Sequence, residues 1–146
     1  MELAVELSIK NVLDKNGGPF GAVIMDNKGG IISCGVNQVV NTNDPTAHAE
    51  IIAIRNACEK LKTFTLEDCI IYSSTEPCPM CYSAIRWAKI RTIYFANDRH
   101  DAEKIGFNDK NIYNDIENRE LGMIKIHHPN AIKAFELWAL SDSTRY

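Results

Sequence analysis

The sequence has no apolar run long enough to cross a bilayer, no internal repeat and no low-complexity segment. Residues 1–6 lack the basic start and the continuous apolar stretch of a secretory signal peptide. The five cysteines are an odd number, and their spacing forms no evident disulfide framework. These absences predict a reduced, cytoplasmic protein that is not a membrane protein.

A run of basic residues is also missing. The chain carries 16 Lys and Arg against 19 Asp and Glu, a net charge of −3. Because proteins that bind nucleic acid through its phosphates usually carry a basic surface, this balance counts against a polynucleotide partner. The 146 residues, of which 45% are hydrophobic, match one domain with a hydrophobic core, spanning residues 1–146.

Hydrophobic periodicity predicts an alternation of helices and strands. Asp44 and Pro45 resemble an N-cap followed by a first helical residue, which predicts a helix start there. The predicted helices cover residues 2–15, 44–61, 77–89 and 130–140, and the predicted strands cover residues 20–25, 31–36, 69–73, 92–96 and 123–127. Residues 69–73 and 92–96 are mainly apolar, as in buried parallel strands. This order predicts a three-layer α/β/α sandwich around a mixed sheet of about five strands.

Two short motifs carry the chemistry. His48-x-Glu50 is followed downstream by Pro77-Cys78-x-x-Cys81, which is the known signature of zinc-dependent deaminases. Cysteines three apart share one helix face, and the first turn of a helix favours the thiolate that binds metal. One imidazole and two thiolates leave a tetrahedral zinc with one open position, as in catalytic sites.

That open position predicts a zinc-bound hydroxide, because zinc lowers the pKa of its water from 15.7 to about 7. Glu50 is then a proton shuttle between the water, the base and the leaving amine. Residues two apart do not share a helix face, so His48 and Glu50 converge only if His48 lies at the extreme helix edge. The alternative, a purely structural zinc, would need a fourth ligand, and Cys34, Cys58 and Cys69 are assigned to the core.

With these motifs in place, the chain resembles the bacterial guanine deaminases of the cytidine deaminase superfamily. The resemblance covers nearly the whole chain. It rests on residues 17–24 (GGPFGAVI), 43–50 (NDPTAHAE) and 76–81 (EPCPMC), and on two stretches shared with the guanine deaminases in particular, residues 106–109 (GFND) and the terminal Tyr146.

The resemblance implies hydrolysis of guanine to xanthine and ammonia, with one zinc ion per subunit held by His48, Cys78 and Cys81. It implies a homodimer in which the C-terminal segment is swapped and closes over the partner's active site. It also implies that Asn37 hydrogen-bonds the purine, that Asp109 faces its amino and N1 edge, and that Tyr146 helps to close the pocket.

The residues themselves leave some of these roles open. Guanine presents N1–H and NH₂ donors, which Asp109 would accept, yet an Asp before residues 111–113 is also an ordinary helix N-cap. Asn37 heads a loop, where Asn is a common turn residue. Phe20 is interpreted as a wall of the pocket, although an aromatic side chain on a strand is more often core, and Trp87 stays undecided.

Three other functions compete with guanine deamination. A tRNA adenosine deaminase shares the zinc motif but needs a basic groove for its polynucleotide. A deaminase of cytosine, cytidine or another small heterocycle would differ only in its pocket lining. A zinc-stabilised binding protein would share the scaffold, but it would have no use for Glu50 as a proton shuttle.

Overall fold

The computed structural model describes residues 1–118, 122–126, 128, 130 and 132–140. The helices are α1 (Glu2–Leu13), α2 (Val39–Thr42), α3 (Ala49–Leu61), α4 (Pro79–Trp87), α5 (Arg99–Lys104), α6 (Lys110–Asn118) and α7 (Lys133–Leu140). The strands are β1 (Gly21–Asp26), β2 (Ile31–Val36), β3 (Cys69–Thr75) and β4 (Thr92–Asn97).

The four strands form one mixed sheet in the order β2-β1-β3-β4. β1 is antiparallel to both β2 and β3, whereas β3 and β4 are parallel. β2, β3 and β4 therefore run in the same direction, and their carboxyl ends meet at one edge of the sheet. In open α/β sheets this is the edge where ligands bind.

Two glycines show that helices cover both faces of the sheet. A Cβ on Gly35 would clash with the backbone oxygen of Ala49 in α3, and a Cβ on Gly21 would clash with that of Ala4 in α1. Gly35 pairs with Ala22, the residue next to Gly21, so the two glycines face opposite sides of the sheet. α1 and α3 therefore lie on opposite faces, in a helix–sheet–helix arrangement.

The main core lies between the sheet and α3, where small side chains allow close packing. Ala49, Ala53 and Ala57 of α3 are fully buried against Ile24 and Ile71 of the sheet. Ile85 of α4 joins the same cluster, so α4 lies on the α3 side. This packing sets the positions of the first turns of α3 and α4.

The predicted helix start is wrong by four residues, since the N-cap is His48 and not Asp44, and α3 begins at Ala49 and not Pro45. The Asp44 carboxylate accepts hydrogen bonds from both the backbone N–H and the hydroxyl of Thr46. These bonds close a turn that competes with the helix, which is the usual behaviour of Asp in an Asx turn. The predicted helix from residue 77 likewise begins at Pro79, with Cys78 as its N-cap.

Two further predictions about strands need correction within the described residues. The sheet has four strands there, and residues 122–126 form no strand, with Ile124 88% exposed. Alternating apolar residues produce a strand only when a neighbouring strand supplies hydrogen bonds. β4 is parallel as predicted, but Tyr94 and Phe95 are about half exposed because β4 is an edge strand.

The chain forms two compact units, residues 1–113 and residues 114–146. The first unit contains the whole sheet, and the second contains α7. That both units belong to a single domain stays a prediction. Among the described residues, no helix combines the length and apolarity that a bilayer crossing requires.

Candidate active site

The predicted site residues of the first unit come from the edge of the sheet where β2, β3 and β4 end. Asn37 follows β2, and Cys78 follows β3 after a short turn. Phe20 precedes β1, which runs the other way, and its carbonyl accepts a hydrogen bond from the Asn37 N–H. The sheet direction therefore gathers these residues from distant parts of the sequence.

His48 and Glu50 both lie at the N-terminus of α3. His48 is the N-cap residue with extended backbone (φ −71°, ψ 157°), and Glu50 follows in the first turn. The change from extended to helical backbone between them brings together two side chains that a continuous helix would separate. The sequence predicted that His48 and Glu50 converge only if His48 lies at the extreme end of the helix. His48 does lie there, because the Asx turn of Asp44 makes the helix begin after His48.

Cys78 and Cys81 occupy the N-cap and third positions of α4, with Pro79 as the first helical residue. The side chain of an N-cap residue normally contacts the third residue of the helix that follows. This spacing therefore brings the two sulfurs together. The His48 Nδ1 atom lies 3.6 Å from Cys78 Sγ and 3.4 Å from Cys81 Sγ. The donor atoms of all three residues lie within 4.8 Å of one another.

These separations fit a tetrahedral zinc ion. With ordinary Zn–N and Zn–S bond lengths, a tetrahedral site separates nitrogen from sulfur by about 3.6 Å and the two sulfurs by about 3.8 Å. Imidazole plus two thiolates is a donor set that zinc favours. His48, Cys78 and Cys81 would therefore hold the ion, and when bound it would supply Lewis acidity that makes a water molecule acidic near neutral pH.

The three donor side chains favour one thiolate through their own contacts. The pKa of Cys78 is lowered to about 4, because hydrogen bonds from the Cys81 thiol and from His48 stabilise its thiolate against the cost of burial. The same hydrogen bond from Cys81 to Cys78 raises the pKa of Cys81, and burial adds to this effect. The hydrogen bond to Cys78 also raises the pKa of His48. A divalent cation would displace the protons that these groups hold.

Glu50 is a buried carboxyl beside the metal donors. Its Oε1 atom accepts a hydrogen bond from the Ser73 hydroxyl at 3.2 Å, and its Oε2 atom accepts one from the Cys81 thiol at 3.4 Å. Burial raises the pKa of Glu50 above its usual value. A carboxyl with a raised pKa takes up a proton more readily than an ordinary one, which favours a role in proton shuttling.

Asn37 is 5% exposed, and the backbone fixes the orientation of its amide. Its Oδ1 atom accepts hydrogen bonds from the N–H groups of Gly18 (3.2 Å) and Val39 (3.4 Å). The buried Asn11 amide donates to the carbonyl oxygens of both Gly18 and Asn37, each at 2.9 Å. Because the side-chain oxygen is engaged, the NH₂ group is the part of Asn37 that can donate to a ligand.

The two aromatic residues Phe20 and Phe107 contact each other edge to face, with ring centroids 4.9 Å apart. Phe20 is half-buried, and Phe107 is 45% exposed. The contact joins the start of β1 to the 106–109 segment, which carries Asp109. Sequence reasoning quoted Phe107 in a shared segment but gave it no role.

Asp109 lies close enough to the metal donors to be affected by them. Burial raises the pKa of its carboxyl, and the negative charge of Cys78 raises it further, while the positive charge of Arg99 lowers it. The backbone oxygen of Asp109 accepts hydrogen bonds from Ile112 (2.9 Å) and Tyr113 (3.3 Å), so Asp109 borders the first turn of α6. The helix-border role and a role at the site are thus compatible.

Two other predicted residues lie elsewhere. Trp87, left undecided by the sequence, is 73% exposed at the end of α4 and is not core. Tyr146 lies outside the described residues.

The sequence did not predict roles for Ser73, Arg99 and Asn11. Ser73 had a detectable signal, since a hydroxyl at the end of a predicted buried strand needs a hydrogen-bond partner.

Both the sequence and the structure are similar to those of known deaminases. Residues 1–97 match the family model described as the cytidine and deoxycytidylate deaminase zinc-binding region, which confirms the predicted zinc cofactor. The guanine deaminase of Bacillus subtilis is 43% identical over 142 residues, covering 94% of this chain and 90% of that protein. Its crystal structure superposes with a TM-score of 0.93 over 99% of this chain and 95% of that one, at 41% identity.

Two more distant relatives have different activities from each other. A guanine deaminase from Nitrosomonas europaea has a TM-score of 0.71 and 35% identity, over 75% of this chain and 63% of that one. The tRNA-specific adenosine deaminase of Aquifex aeolicus is 42% identical over 87 residues, covering 60% of this chain and 57% of that protein. With the family model spanning the sheet and both metal-binding helix starts, the chain belongs to the zinc-dependent cytidine and deoxycytidylate deaminase family.

Proposed function

We propose that the protein hydrolyses guanine to xanthine and ammonia. The observation that carries this proposal is the half-buried Asp109 carboxyl, whose pKa is raised by burial and by the negative charge of the metal donor Cys78. Guanine presents two donors on one edge, N1–H and the 2-amino group, so a guanine site needs an acceptor there. The 43% identity to a guanine deaminase over 94% of the chain supports the same substrate.

In the proposed reaction, the protein residues bind the base and move protons. Asp109 accepts from the N1–H and amino edge, the Asn37 NH₂ group donates to a ring or carbonyl acceptor, and Phe20 forms a wall of the pocket. Glu50 takes one proton from the attacking water and delivers it to ring N3, and it then carries the proton of the added hydroxyl to the departing amine. The C2–N bond breaks, ammonia leaves, and the oxygen of water becomes the C2 carbonyl of xanthine.

We keep tRNA adenosine deamination as the second candidate. Several relatives with that activity are about 40% identical to this chain, but the Aquifex protein matches only 60% of it, against 94% for the Bacillus guanine deaminase. The net charge of −3 offers no electrostatic attraction for the phosphates of a tRNA. A free base is therefore the better substrate.

The test is ammonia release from zinc-loaded protein, with guanine, adenine, cytosine and cytidine assayed side by side. We expect release from guanine alone, and no release from a sample whose metal has been removed by a chelator. Release from a different base would keep the zinc chemistry and overturn the substrate. No ammonia release from any of the four bases, together with inosine formation in a tRNA substrate, would favour tRNA adenosine deamination.

We also propose a cytoplasmic homodimer in which the C-terminal segment, with Tyr146, completes the partner's active site. The free thiols of the metal donors fit a reducing compartment. Many large apolar side chains are at least 40% exposed, which favours a partner surface; on α4, β4 and α7 they are Tyr82, Trp87, Tyr94, Phe95, Phe135, Leu137, Trp138 and Leu140.

A complementation experiment tests this swap. A variant without residues 143–146 and the Glu50→Gln variant are each expected to be nearly inactive alone. Mixed in equal amounts and allowed to exchange subunits, they should regain about a quarter of the wild-type activity, because half of the dimers then hold one intact site. Full activity of the truncated protein alone, or no recovery in the mixture, would remove the swapped segment from the proposal.

A further inference from the structure

The contact between Glu76 and Arg99 has no role in the proposed reaction, although it joins the two residues at two points. The carboxylate of Glu76, which directly precedes Pro77 and Cys78, contacts Arg99 at the start of α5 through both of its oxygens. Oε2 accepts a hydrogen bond from the Arg99 backbone N–H at 3.1 Å, and Oε1 lies 3.3 Å from the Arg99 Nη2 atom. The Glu76 backbone N–H also donates to the Asn97 carbonyl at 2.8 Å, which ties the end of β3 to that of β4.

The other side of Arg99 contacts the segment that carries Asp109. The Arg99 guanidinium carbon lies 4.9 Å from the ring centroid of Tyr113, within the range of a cation–π contact. Tyr113 in turn donates its backbone N–H to the Asp109 carbonyl at 3.3 Å. The chain of contacts from Glu76 through Arg99 to Tyr113, here the Glu76–Arg99–Tyr113 link, connects the metal-binding helix α4 to the first turn of α6.

Isolated surface ion pairs contribute little, but this one differs from the other pairs that the described residues form. The Glu76 side chain is only 21% exposed, and Arg99 bridges two acidic groups that would otherwise repel, since its charge also acts on Asp109. By contrast, Lys104 on the same helix α5 pairs with Asp101 at 2.9 Å, with side chains 72% and 48% exposed. That pair stays within one helix and touches nothing at the site.

We propose that Arg99 is a positioning residue for substrate recognition, which holds Asp109 in place beside the metal centre through the Glu76–Arg99–Tyr113 link. The proposal rests on the guanine function above as far as the substrate is concerned. Arg99 itself does not touch the base. Its loss lets the 107–113 segment move away, so that guanine binds more weakly while the metal donors and Glu50 keep their places.

The first test needs no substrate. Arg99→Met removes the charge and keeps most of the aliphatic stem, and Lys104→Met is the matched control on the same helix. In zinc-loaded protein, we expect amide hydrogen exchange at residues 107–113 to accelerate about tenfold in Arg99→Met, with residues 79–87 unchanged. The control should match the wild type. Equal protection of residues 107–113 in both variants would overturn the link.

The second test separates positioning from general damage. For Arg99→Met we expect KM for guanine to rise about tenfold, with kcat reduced less than threefold and zinc content unchanged. In an Asp109→Asn background, the same substitution should change KM less than twofold, because its effect acts through Asp109. Equal effects in both backgrounds, or a kcat loss without a KM change, would contradict the positioning role.

The design keeps the two proposals apart. If wild-type protein has no activity on guanine, the proposed substrate fails while the exchange experiment still decides the link. If the wild type is active and Arg99→Met behaves like Lys104→Met, the link fails and the substrate stands. Should Arg99→Met not fold, Glu76→Gln breaks the same ion pair with a side chain of the same shape, and the same changes in exchange and KM are expected.

Discussion

Replacing Glu50 by glutamine is expected to lower kcat for guanine by about a hundred- to ten-thousand-fold, the usual contribution of general acid–base catalysis. Glutamine has nearly the same shape, keeps an acceptor for the Ser73 hydroxyl, and cannot exchange a proton. The uncharged amide also adds no charge to this buried position. Zinc content and melting temperature should therefore stay close to the wild-type values.

Glu59→Gln is the matched control for this variant. Glu59 lies on the same helix α3 but is exposed, so the same substitution there should leave kcat, zinc content and melting temperature unchanged. Steady-state kinetics with metal analysis on both variants decides the matter. A Glu50→Gln protein that retains a tenth or more of the wild-type rate would contradict the proton-shuttle role.

Replacing Cys81 by alanine is expected to reduce the zinc content from about one ion per chain to near zero, and the deaminase activity with it. Cys81 is fully buried and contributes one of only three donors in the cluster. A site left with two protein ligands binds zinc far more weakly than one with three. Metal analysis after gel filtration, followed by the ammonia assay, measures both effects.

Cys69→Ala provides the corresponding control. Cys69 is also a buried free cysteine, but it belongs to the hydrophobic core at the start of β3. Its truncation should cost about 1 kcal/mol of stability from the small cavity, while zinc and activity are retained. Stoichiometric zinc in Cys81→Ala, or its loss in Cys69→Ala alone, would move the metal centre to another set of residues.

The metal donors were the most predictable part of the molecule, because their geometry is largely local. Cys78 and Cys81 meet through the N-cap and third positions of a single helix, and Pro79 sets the start of that helix. His48 and Glu50 likewise meet within one helix N-terminus. Local spacing of this kind can be read from the order of residues. Only the predicted starts of the two helices differ from the observed ones.

The elements that depend on neighbours were less predictable. Residues 123–127 alternate like a strand, yet the described residues 122–126 form none, since a strand needs a partner that periodicity does not reveal. The apolar sequence of β4 resembles a central strand, but its place at the sheet edge leaves Tyr94 and Phe95 half exposed. Sheet order is a long-range property, and no window of sequence contains it.

The motif spacing was thus enough to specify a zinc-dependent deaminase centre, because metal ligation and helix starts are decided within a few residues. Which groups line the space beside that centre was decided by the sheet, which brings Asn37 and Phe20 to the edge where Cys78 lies. The contact between Glu76 and Arg99, and the orientation of the Asn37 amide, arise only when strand ends that are distant in sequence pack side by side. Such contacts depend on the relative positions of whole elements, so only the tertiary structure specifies them.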